Sequence, residues 1–408
     1  MPPHPPVLAS GFRLHRVSDR PDYAAYQYEI YLQGVGGTVP EYPVGIRELE
    51  AAAKEVLSDE AWGYVAGAAG SESTLRANLE AFYQWRILPR VLTNVAARDL
   101  SVNLFGTQLD APVLLAPVGV QSIVHEEGEL AVARAASRCG VPFVLSTAAS
   151  HPLEEVAEAA GSTPRWFQLY WPNHKELALS LVSRAENAGY SAIVLTLDTP
   201  LLAWRPRDLS HGFLPFLKGV GVANYFSDPV FRSQLEKTPE EDLQAAVMQW
   251  VQVFSDPSRT WDDLAFLREN TELPLLLKGI LNPEDARKAK ASGVDGVIVS
   301  NHGGRQVDGS VNTLEALPSV VEAAGDELVV LFDSGVRTGA DALKALALGA
   351  QAVLLGRPYI WGLAVGGEEG VVQVLKGLLA DLDLTLALSG RASLAEVDAS
   401  MLTFAGDR

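Results

Sequence analysis

The chain has 408 residues, of which 48% are apolar, with a formal charge of -18 and an isoelectric point near 4.8. Its length suits two or three average domains or one elaborated α/β barrel, and its apolar content is sufficient for a large core. The acidic charge argues against a nucleic-acid partner, because such a partner requires a basic surface that displaces counterions.

Cysteine content and the chain start indicate the compartment. Cys139 is the one cysteine, so no disulfide framework exists, and we interpret it as a packed thiol on a helix. The N-terminal residues MPPHPPVLASGF lack the cationic start and apolar centre of a secretory signal, so we expect a disordered leader of a cytoplasmic protein. No apolar run approaches the roughly 18 residues of a membrane span.

Residues 1–80 form the first predicted unit, an N-terminal arm followed by helices. The run DYAAYQYEIY predicts an arm packed on the main body, and stacking of its tyrosines on a cofactor is the alternative. Ile46, Leu49 and Ala53 have helical spacing. Ser58 is a good N-cap for a second helix, in which Tyr64 either faces a site or packs in the core.

From Pro112, apolar strands alternate with helices to residue 408. Near-continuous Val/Ile/Leu runs are typical of parallel strands buried on both faces. Eight such runs, seven of them followed by a helical crossover, predict an α/β fold of the (β/α)8 barrel type over residues 81–408. The runs are PVLLAP, PFVLST, WFQLY, SAIVLTLD, PLLLKG, DGVIVSN, LVVLFD and AVLLG.

Two further segments extend the predicted barrel. An insertion at about residues 206–263 follows the fourth strand, and we expect a mobile active-site lid, with an inert surface insertion as the alternative. Helices at about residues 370–408 carry Val374, Leu375 and Leu378, which we expect to pack on the barrel or on a neighbouring subunit.

Polar residues end each strand and should meet at one rim of the barrel. They are Ser146, Gln168, Tyr170, Thr196, Asp198, Lys278, Ser300, His302, Asp333, Gly356 and Arg357. The turns DSGVRTG and GRP follow the last two strands, where barrels commonly bind phosphate. We expect Gly335 to admit an anion that Arg337 and Arg357 clamp, which implies a phosphorylated cofactor.

A second group of polar residues suits deprotonation beside a carboxylate. His302 can act as a base, and Asp198 can hold its tautomer. Arg205 and Arg305 offer two guanidinium groups to a small acid. The alternatives are a histidine satisfied within the core and a structural ion pair between Asp198 and Arg205.

Lys278 has three possible roles that its spacing does not separate. It is a Schiff-base nucleophile, a member of a structural salt bridge, or a cation beside an electron sink. The first would make the protein an aldolase, and a non-catalytic barrel that binds a phosphate ligand is a further alternative.

The motifs LKGI, VSNHGGRQ, FDSGVRTG and LLGRPYIWG resemble the FMN-dependent L-2-hydroxy acid oxidase family, which includes glycolate oxidase, lactate oxidase and lactate 2-monooxygenase. The resemblance runs from about Tyr28 to near the C-terminus. It implies an FMN enzyme that oxidises an L-2-hydroxy acid, most simply L-lactate, with O2 as acceptor. It also implies a homotetramer or larger homo-oligomer, and no metal.

The resemblance assigns roles to residues. His302 takes a proton from the substrate with support from Asp198, Tyr170 contacts the hydroxyl group, and Lys278 lies beside the flavin. Tyr64, Arg205 and Arg305 hold the carboxylate, and Ala148 lines the side-chain pocket. The FMN contacts are assigned to Pro117, Val118, Gly119, Ser146, Gln168, Thr196, Lys278, Ser300, Asp333, Ser334, Gly335, Arg337, Gly356 and Arg357.

Within the family, TLDTPLLAWRPRDL is most similar to lactate 2-monooxygenase. Gly119 also matches that enzyme, whereas the oxidases usually have alanine there. The missing methyl group predicts more room beside the flavin, so that pyruvate stays and is decarboxylated to acetate. Release of pyruvate with hydrogen peroxide is the alternative, and Pro200, Leu202, Ala203 and Asp308 depart from the monooxygenase pattern.

Overall fold

The computed structural model describes residues 20–406, so the leader expected at the N-terminus lies outside the described residues. Four helices precede the barrel: α1 Ala25–Val35, α2 Ile46–Val56, α3 Asp59–Ala66 and α4 Ser73–Gln84. Ser58 caps α3 by accepting a hydrogen bond from the Ala61 amide. Tyr28 and Tyr31 on α1 are 47% and 67% exposed, so they do not form a buried cofactor platform.

Eight parallel strands close into the predicted barrel. The strands of the whole chain are β1 Trp85–Ile87, β2 Val102–Leu104, β3 Thr107–Leu109, β4 Val113–Leu115, β5 Phe143–Ser146, β6 Arg165–Tyr170, β7 Ile193–Thr196, β8 Leu275–Ile280, β9 Gly296–Val299, β10 Val329–Phe332, β11 Ala352–Leu355 and β12 Leu402–Phe404. β4 to β11 form the barrel, in which β9 pairs with β10 and β11 pairs with β4. The (β/α)8 fold is therefore confirmed.

Helices alternate with these strands on the outside of the barrel. They are α5 Gly128–Cys139, α6 Leu153–Ala160, α7 Lys175–Asn187, α8 Pro206–His211, α9 Ala223–Phe226, α10 Pro229–Arg232, α11 Leu243–Val253, α12 Leu264–Arg268, α13 Pro283–Ala291, α14 Thr313–Ala324, α15 Gly339–Ala347 and α16 Arg357–Leu388. Strand residues such as Leu114, Val194, Leu276 and Leu354 are fully buried in a cluster that fills the barrel interior. The interior is a packed core, so a ligand site must lie at an end of the barrel.

The insertion after β7 is tied to the barrel. Asn224 of α9 is fully buried, and its side-chain amide donates hydrogen bonds to the carbonyl oxygens of Ser146 and Thr147. Tyr225 and Trp250 pack in the same core. The insertion is thus anchored at the end of β5 through Asn224, and mobility of the segment stays a prediction.

The C-terminal region differs from the expected helices at residues 370–408. One helical segment, α16, already begins at Arg357, is broken at Gly366 and Gly367, and ends at Leu388. The chain then returns to pair β12 with β1. The predicted boundary at residue 80 likewise falls inside α4, because this helix runs directly into β1. Among residues 20–406, no helix has both the length and the apolarity required to cross a membrane.

Candidate active site

A cavity opens at the carboxyl ends of the barrel strands, and α3 covers part of it. The predicted site residues that line it are Tyr64, Pro117, Val118, Gly119, Ala148, Tyr170, Arg205, Lys278, His302, Arg305, Asp333, Ser334, Gly335, Arg337, Gly356 and Arg357. Residues from the N-terminal helices, the loop after β7 and the other seven barrel strands or their loops therefore meet in one place. We call this space the substrate cavity.

His302 and Asp198 form a buried pair at this cavity. The Nδ1 atom of His302 lies 2.9 Å from Oδ1 of Asp198. Burial lowers the pKa of His302, and the nearby cations of Lys278 and Arg205 add to this effect against the attraction of Asp198. Burial alone would raise the pKa of Asp198, but the imidazole and Lys278 bring it below its usual value. The pair thus holds an ionised carboxylate and a neutral imidazole that can accept a proton, and Asp198 is not paired with Arg205.

The loop that carries His302 is held in a strained conformation. His302 has φ 59°, in the left-handed region that non-glycine residues seldom adopt. A Cβ atom on Gly304 would lie 2.6 Å from the Leu75 amide nitrogen, so glycine is required where this loop meets α4. Asn301 and Asn78 exchange two side-chain amide hydrogen bonds of 2.8 Å. The loop is therefore fixed from both sides, which aims the imidazole.

Lys278 is the centre of a buried polar cluster. Its Nζ atom lies 2.9 Å from both Ser300 Oγ and Asp333 Oδ2. Burial lowers the pKa of Lys278, but the carboxylates of Asp333 and Asp198 outweigh this effect and raise it overall. The amine stays an ammonium group, which favours a fixed cation over a Schiff-base nucleophile.

Arg205 and Arg305 form a cationic corner beside His302. Arg205 donates to the carbonyl of Arg305 and to Gln306 Oε1, whereas Arg305 donates to the carbonyls of Tyr64 and Gly67. Burial, and then repulsion from Arg205, lowers the pKa of Arg305 to about 10. Within residues 20–406 neither guanidinium group forms an ion pair with a carboxylate. A small anion would therefore be stabilised between them.

Arg337 and Arg357 form a second cationic corner. Arg357 donates to the carbonyls of Val65, Gly67 and Gly303, and the guanidinium group of Arg337 stacks on Trp361. Burial lowers the pKa of both arginines, and repulsion from Arg305 and then from Arg337 lowers that of Arg357 further. Two half-buried cations with carbonyl but no carboxylate partners in the described chain predict a ligand with a strong negative charge.

At two positions, glycine is required for a different structural reason than the sequence suggested. A Cβ atom on Gly335 would lie 2.6 Å from the carbonyl oxygen of Asn78, so this glycine admits α4 and not only an anion. A Cβ atom on Gly119 would meet the carbonyl oxygen of Ala148 at 2.7 Å and its Cβ atom at 2.9 Å. The space that the missing methyl group leaves is taken up by Ala148.

Some predicted contacts lie behind the cavity wall. Ser146, Gln168, Thr196, Asp198 and Ser300 are not among the residues that line the substrate cavity. Ser300 bridges Lys278, Asp333 and the His302 amide. Ser146 donates to Gln168 Oε1, while Gln168 Nε2 is buried without a partner in the described chain.

Sequence reasoning missed several residues of the site. Gln306 donates to the carbonyl oxygens of Asp198 and Leu201 and so joins the loops after β7 and β9. Its position directly after NHGGR was the available signal. Phe216 and Phe254 line the cavity from the insertion, and nothing in their spacing indicates this. Across residues 20–406, no group of three or more His, Cys, Asp or Glu side chains is placed to hold a metal ion.

Comparisons with known proteins agree with the resemblance noted in the sequence. A family profile described as FMN-dependent dehydrogenase matches residues 53–404. An FMN-dependent alpha-hydroxy acid dehydrogenase of Penicillium citrinum is 47% identical over 379 residues, covering 92% of this chain and 94% of the relative. An L-lactate oxidase of Lysinibacillus sphaericus is 45% identical over 366 residues, covering 90% and 94%. A crystal structure of mandelate oxidase is 40% identical, with a TM-score of 0.78, and covers 88% of this chain and 98% of that one.

Proposed function

The chain belongs to the family of FMN-dependent dehydrogenases, and from this premise we propose that it oxidises L-lactate with O2 as the electron acceptor. Its FMN dependence and its action on 2-hydroxy acids follow from the family and its relatives. The choice of lactate and of oxygen is our proposal. The 45% identical L-lactate oxidase supports this choice. Oxidation of a 2-hydroxy acid is supported by one cavity that a neutral imidazole, two guanidinium groups without carboxylate partners and a buried ammonium group share.

The residues present fit FMN. Arg337 and Arg357 are half-buried cations whose pKa is lowered by desolvation, and an anion such as the phosphate of FMN would stabilise both. Gln168 Nε2 is a buried donor without a protein partner in the described chain, and so can serve the polar edge of a ring. Lys278 is a buried ammonium group that faces the cavity. FMN, when bound, supplies the two-electron acceptor.

Arg205 and Arg305 hold the substrate carboxylate in this proposal. Both are buried, and a carboxylate between them relieves the repulsion that lowers the pKa of Arg305. Tyr64 lies under the Arg305 guanidinium group at 5.0 Å and limits where the acid can sit. This arrangement leaves the reacting carbon beside His302.

His302 is the base that removes a proton from the substrate. Because burial lowers its pKa, the imidazole is neutral before the reaction and its free nitrogen is available. Asp198 fixes the tautomer through the 2.9 Å contact and stabilises the imidazolium group that forms. Tyr170, whose pKa is raised by burial, keeps its hydroxyl proton and can donate to the substrate oxygen.

The fate of the keto acid separates two candidate functions. The segment TLDTPLLAWRPRDL and Gly119 support retention of pyruvate, with lactate and O2 giving acetate, CO2 and water, as in lactate 2-monooxygenase. The close approach of Ala148 to Gly119 supports the second candidate, an oxidase that gives pyruvate and H2O2. Ala148 leaves less spare room beside the cofactor site than the sequence suggested.

Product analysis tests both candidates. Purified holoenzyme with L-lactate under air should consume equal amounts of lactate and O2. Acetate and CO2 without peroxide supports the monooxygenase, whereas pyruvate with equimolar peroxide supports the oxidase. Bleaching of FMN by a different 2-hydroxy acid, with none by L-lactate, would refute the substrate proposal and leave the family assignment intact.

A further inference from the structure

A second cavity, of about 300 Å³, lies on the far side of Asp198. His302 lines the substrate cavity, Asp198 lines the second one, and the two side chains meet at 2.9 Å. Tyr170, Thr199 and Ser255 line both spaces. The His302–Asp198 pair is therefore part of the wall between two cavities.

Besides Nε of Arg259, which lies 3.1 Å from the Asp256 carboxylate, three buried polar atoms around the second cavity have no protein hydrogen-bond partner among the described residues. Oδ1 of Asp198 is paired with His302, but Oδ2 has none. The hydroxyl group of Thr199 and the indole Nε1 of Trp171 are also without one, and Trp171 is only 8% exposed. All three residues line the second cavity. One acceptor and two donors thus share a single polar space.

We propose that the second cavity is a hydration site in which ordered water links the Thr199 hydroxyl and the Trp171 indole N–H to Oδ2 of Asp198. Buried polar groups that lack a protein partner are satisfied by such water. One water needs roughly 10–15 Å³ of cavity, so this space has room for several. A water molecule can accept hydrogen bonds from both donors and donate one to the carboxylate. The contact between Asp198 Oδ1 and His302 is not disturbed by this.

The orientation of Asp198 is fixed by the backbone of β8. Gly279 has φ +106°, and a Cβ atom on it would lie 2.7 Å from Asp198 Cβ and 3.0 Å from Oδ2. Only glycine allows the strand to approach this closely. The carboxylate is therefore held between Gly279 and His302.

Neighbouring charges do not replace the water as donor to Asp198. Lys278 and Arg205 act on the pair from the substrate side. In the second cavity, Arg259 is held by Asp256 and Asp263 at 3.1 and 3.2 Å. Asp285, which also lines it, lies 3.7 Å from Lys288 and supplies a negative charge.

Thr199 and Trp171 are thus positioning residues that act through Asp198. Hydrogen bonds to a carboxylate favour its ionised form, and this form holds the histidine tautomer. Without Thr199 or Trp171 the bridging water is held less firmly and donates less to Asp198, which should then take up a proton at higher pH. His302 would then lose its charged partner during turnover.

Infrared titration of the holoenzyme tests this inference directly. The C=O stretch of protonated Asp198 is assigned by its loss in Asp198→Asn. In Thr199→Val and in Trp171→Phe this band should appear at higher pH than in the parent, by at most roughly one pH unit, because the water that donates to Asp198 loses one of its two protein donors. Thr199→Ser should restore the parent titration.

Thr163→Val is a matched control, because Thr163 is buried near the start of β6, at the opposite end of the barrel. It should leave the Asp198 titration unchanged. An unchanged titration in both Thr199→Val and Trp171→Phe overturns the proposal, as does a crystal structure that shows a direct protein donor on Oδ2. Because this readout does not depend on turnover, it stands apart from the substrate proposal.

The catalytic consequence has its own test. The acid limb of kcat/KM should move to higher pH in Thr199→Val and return in Thr199→Ser. In an Asp198→Asn background, Thr199→Val should have no further effect, because the hydroxyl acts through the missing carboxylate. Independent effects of the two substitutions would contradict the proposed route.

Discussion

Gly119→Ala separates two explanations of the glycine beside the cofactor site. If the missing methyl group only leaves free room, alanine should change the products and leave stability intact. The structure predicts otherwise, because the new Cβ atom would lie 2.7 Å from the carbonyl oxygen and 2.9 Å from the Cβ atom of Ala148. Both distances are well below ordinary van der Waals contact, so a backbone segment must move.

The magnitude follows from the rigidity of these neighbours. Ala148 is 3% exposed, and its carbonyl accepts a hydrogen bond from the Val120 amide. Overpacking of such a site costs about 1–3 kcal/mol. Ala148→Gly in the same background removes the Cβ contact and leaves the carbonyl contact, so it should restore only part of the loss. We expect a coupling free energy above about 0.5 kcal/mol between the two positions.

Urea unfolding of the holoenzyme measures this effect. The midpoint should fall in Gly119→Ala at an unchanged slope, and rise again in part in the double variant. Product analysis of the same samples shows whether pyruvate release increases. An unfolding midpoint equal to that of the parent, together with altered products, would refute the steric argument and support the free-room explanation.

Four further substitutions test the site. Lys278→Met should slow FMN reduction by L-lactate about 100-fold in anaerobic stopped flow. It should also lower the free energy of unfolding by about 3–5 kcal/mol, because Asp333 loses its buried partner. The double variant Lys278→Met with Asp333→Leu should recover stability but not rate. The kcat/KM of the parent should rise with pH through a pKa below the ordinary histidine value, because burial lowers the pKa of His302. His302→Gln should abolish this limb of the pH profile and leave the FMN absorbance unchanged. Arg357→Ala should weaken FMN binding by roughly 10- to 100-fold, measured by fluorescence titration of apoprotein, and unchanged affinity would place the phosphate elsewhere. Asp308→Ala should raise KM several-fold with little change in FMN affinity, because its carboxylate accepts hydrogen bonds at the start of α4 and so fixes the loop after Arg305.

The sequence predicted the barrel because its strands are locally unambiguous. Runs such as the one ending at Lys278 are apolar throughout, and capping residues such as Asn282 mark where the following helix begins. The C-terminal helix was less predictable. Residues 366 and 367 are glycines with non-helical φ/ψ angles, so α16 consists of two helices joined at a kink, and only the second, close to the expected start near residue 370, was predicted.

The candidate site was predictable where a residue follows a strand directly. His302, Lys278 and Arg357 meet because parallel strands share one rim, which needs only strand order. Ser300 and Gln168 were predicted to contact the cofactor, but in the structure they lie in the wall and not at the cavity surface. The reason is that side-chain direction at a strand end depends on register. Asn78 could not be predicted at all, since it reaches Asn301 across 223 positions through the docking of α4.

The distinction between wall and surface decides how the site works. Residues that face the cavity, such as His302, can act on a ligand, but their charge state is set by residues behind them. Asp198 orients the imidazole of His302 from behind the cavity surface, whereas Asp333, at the cavity surface itself, helps to keep Lys278 protonated. Substitution of a wall residue should therefore alter the pH dependence or the stability of the enzyme before it alters substrate affinity. Substitution of Arg205 should do the reverse, because its guanidinium group belongs to the surface that binds the acid.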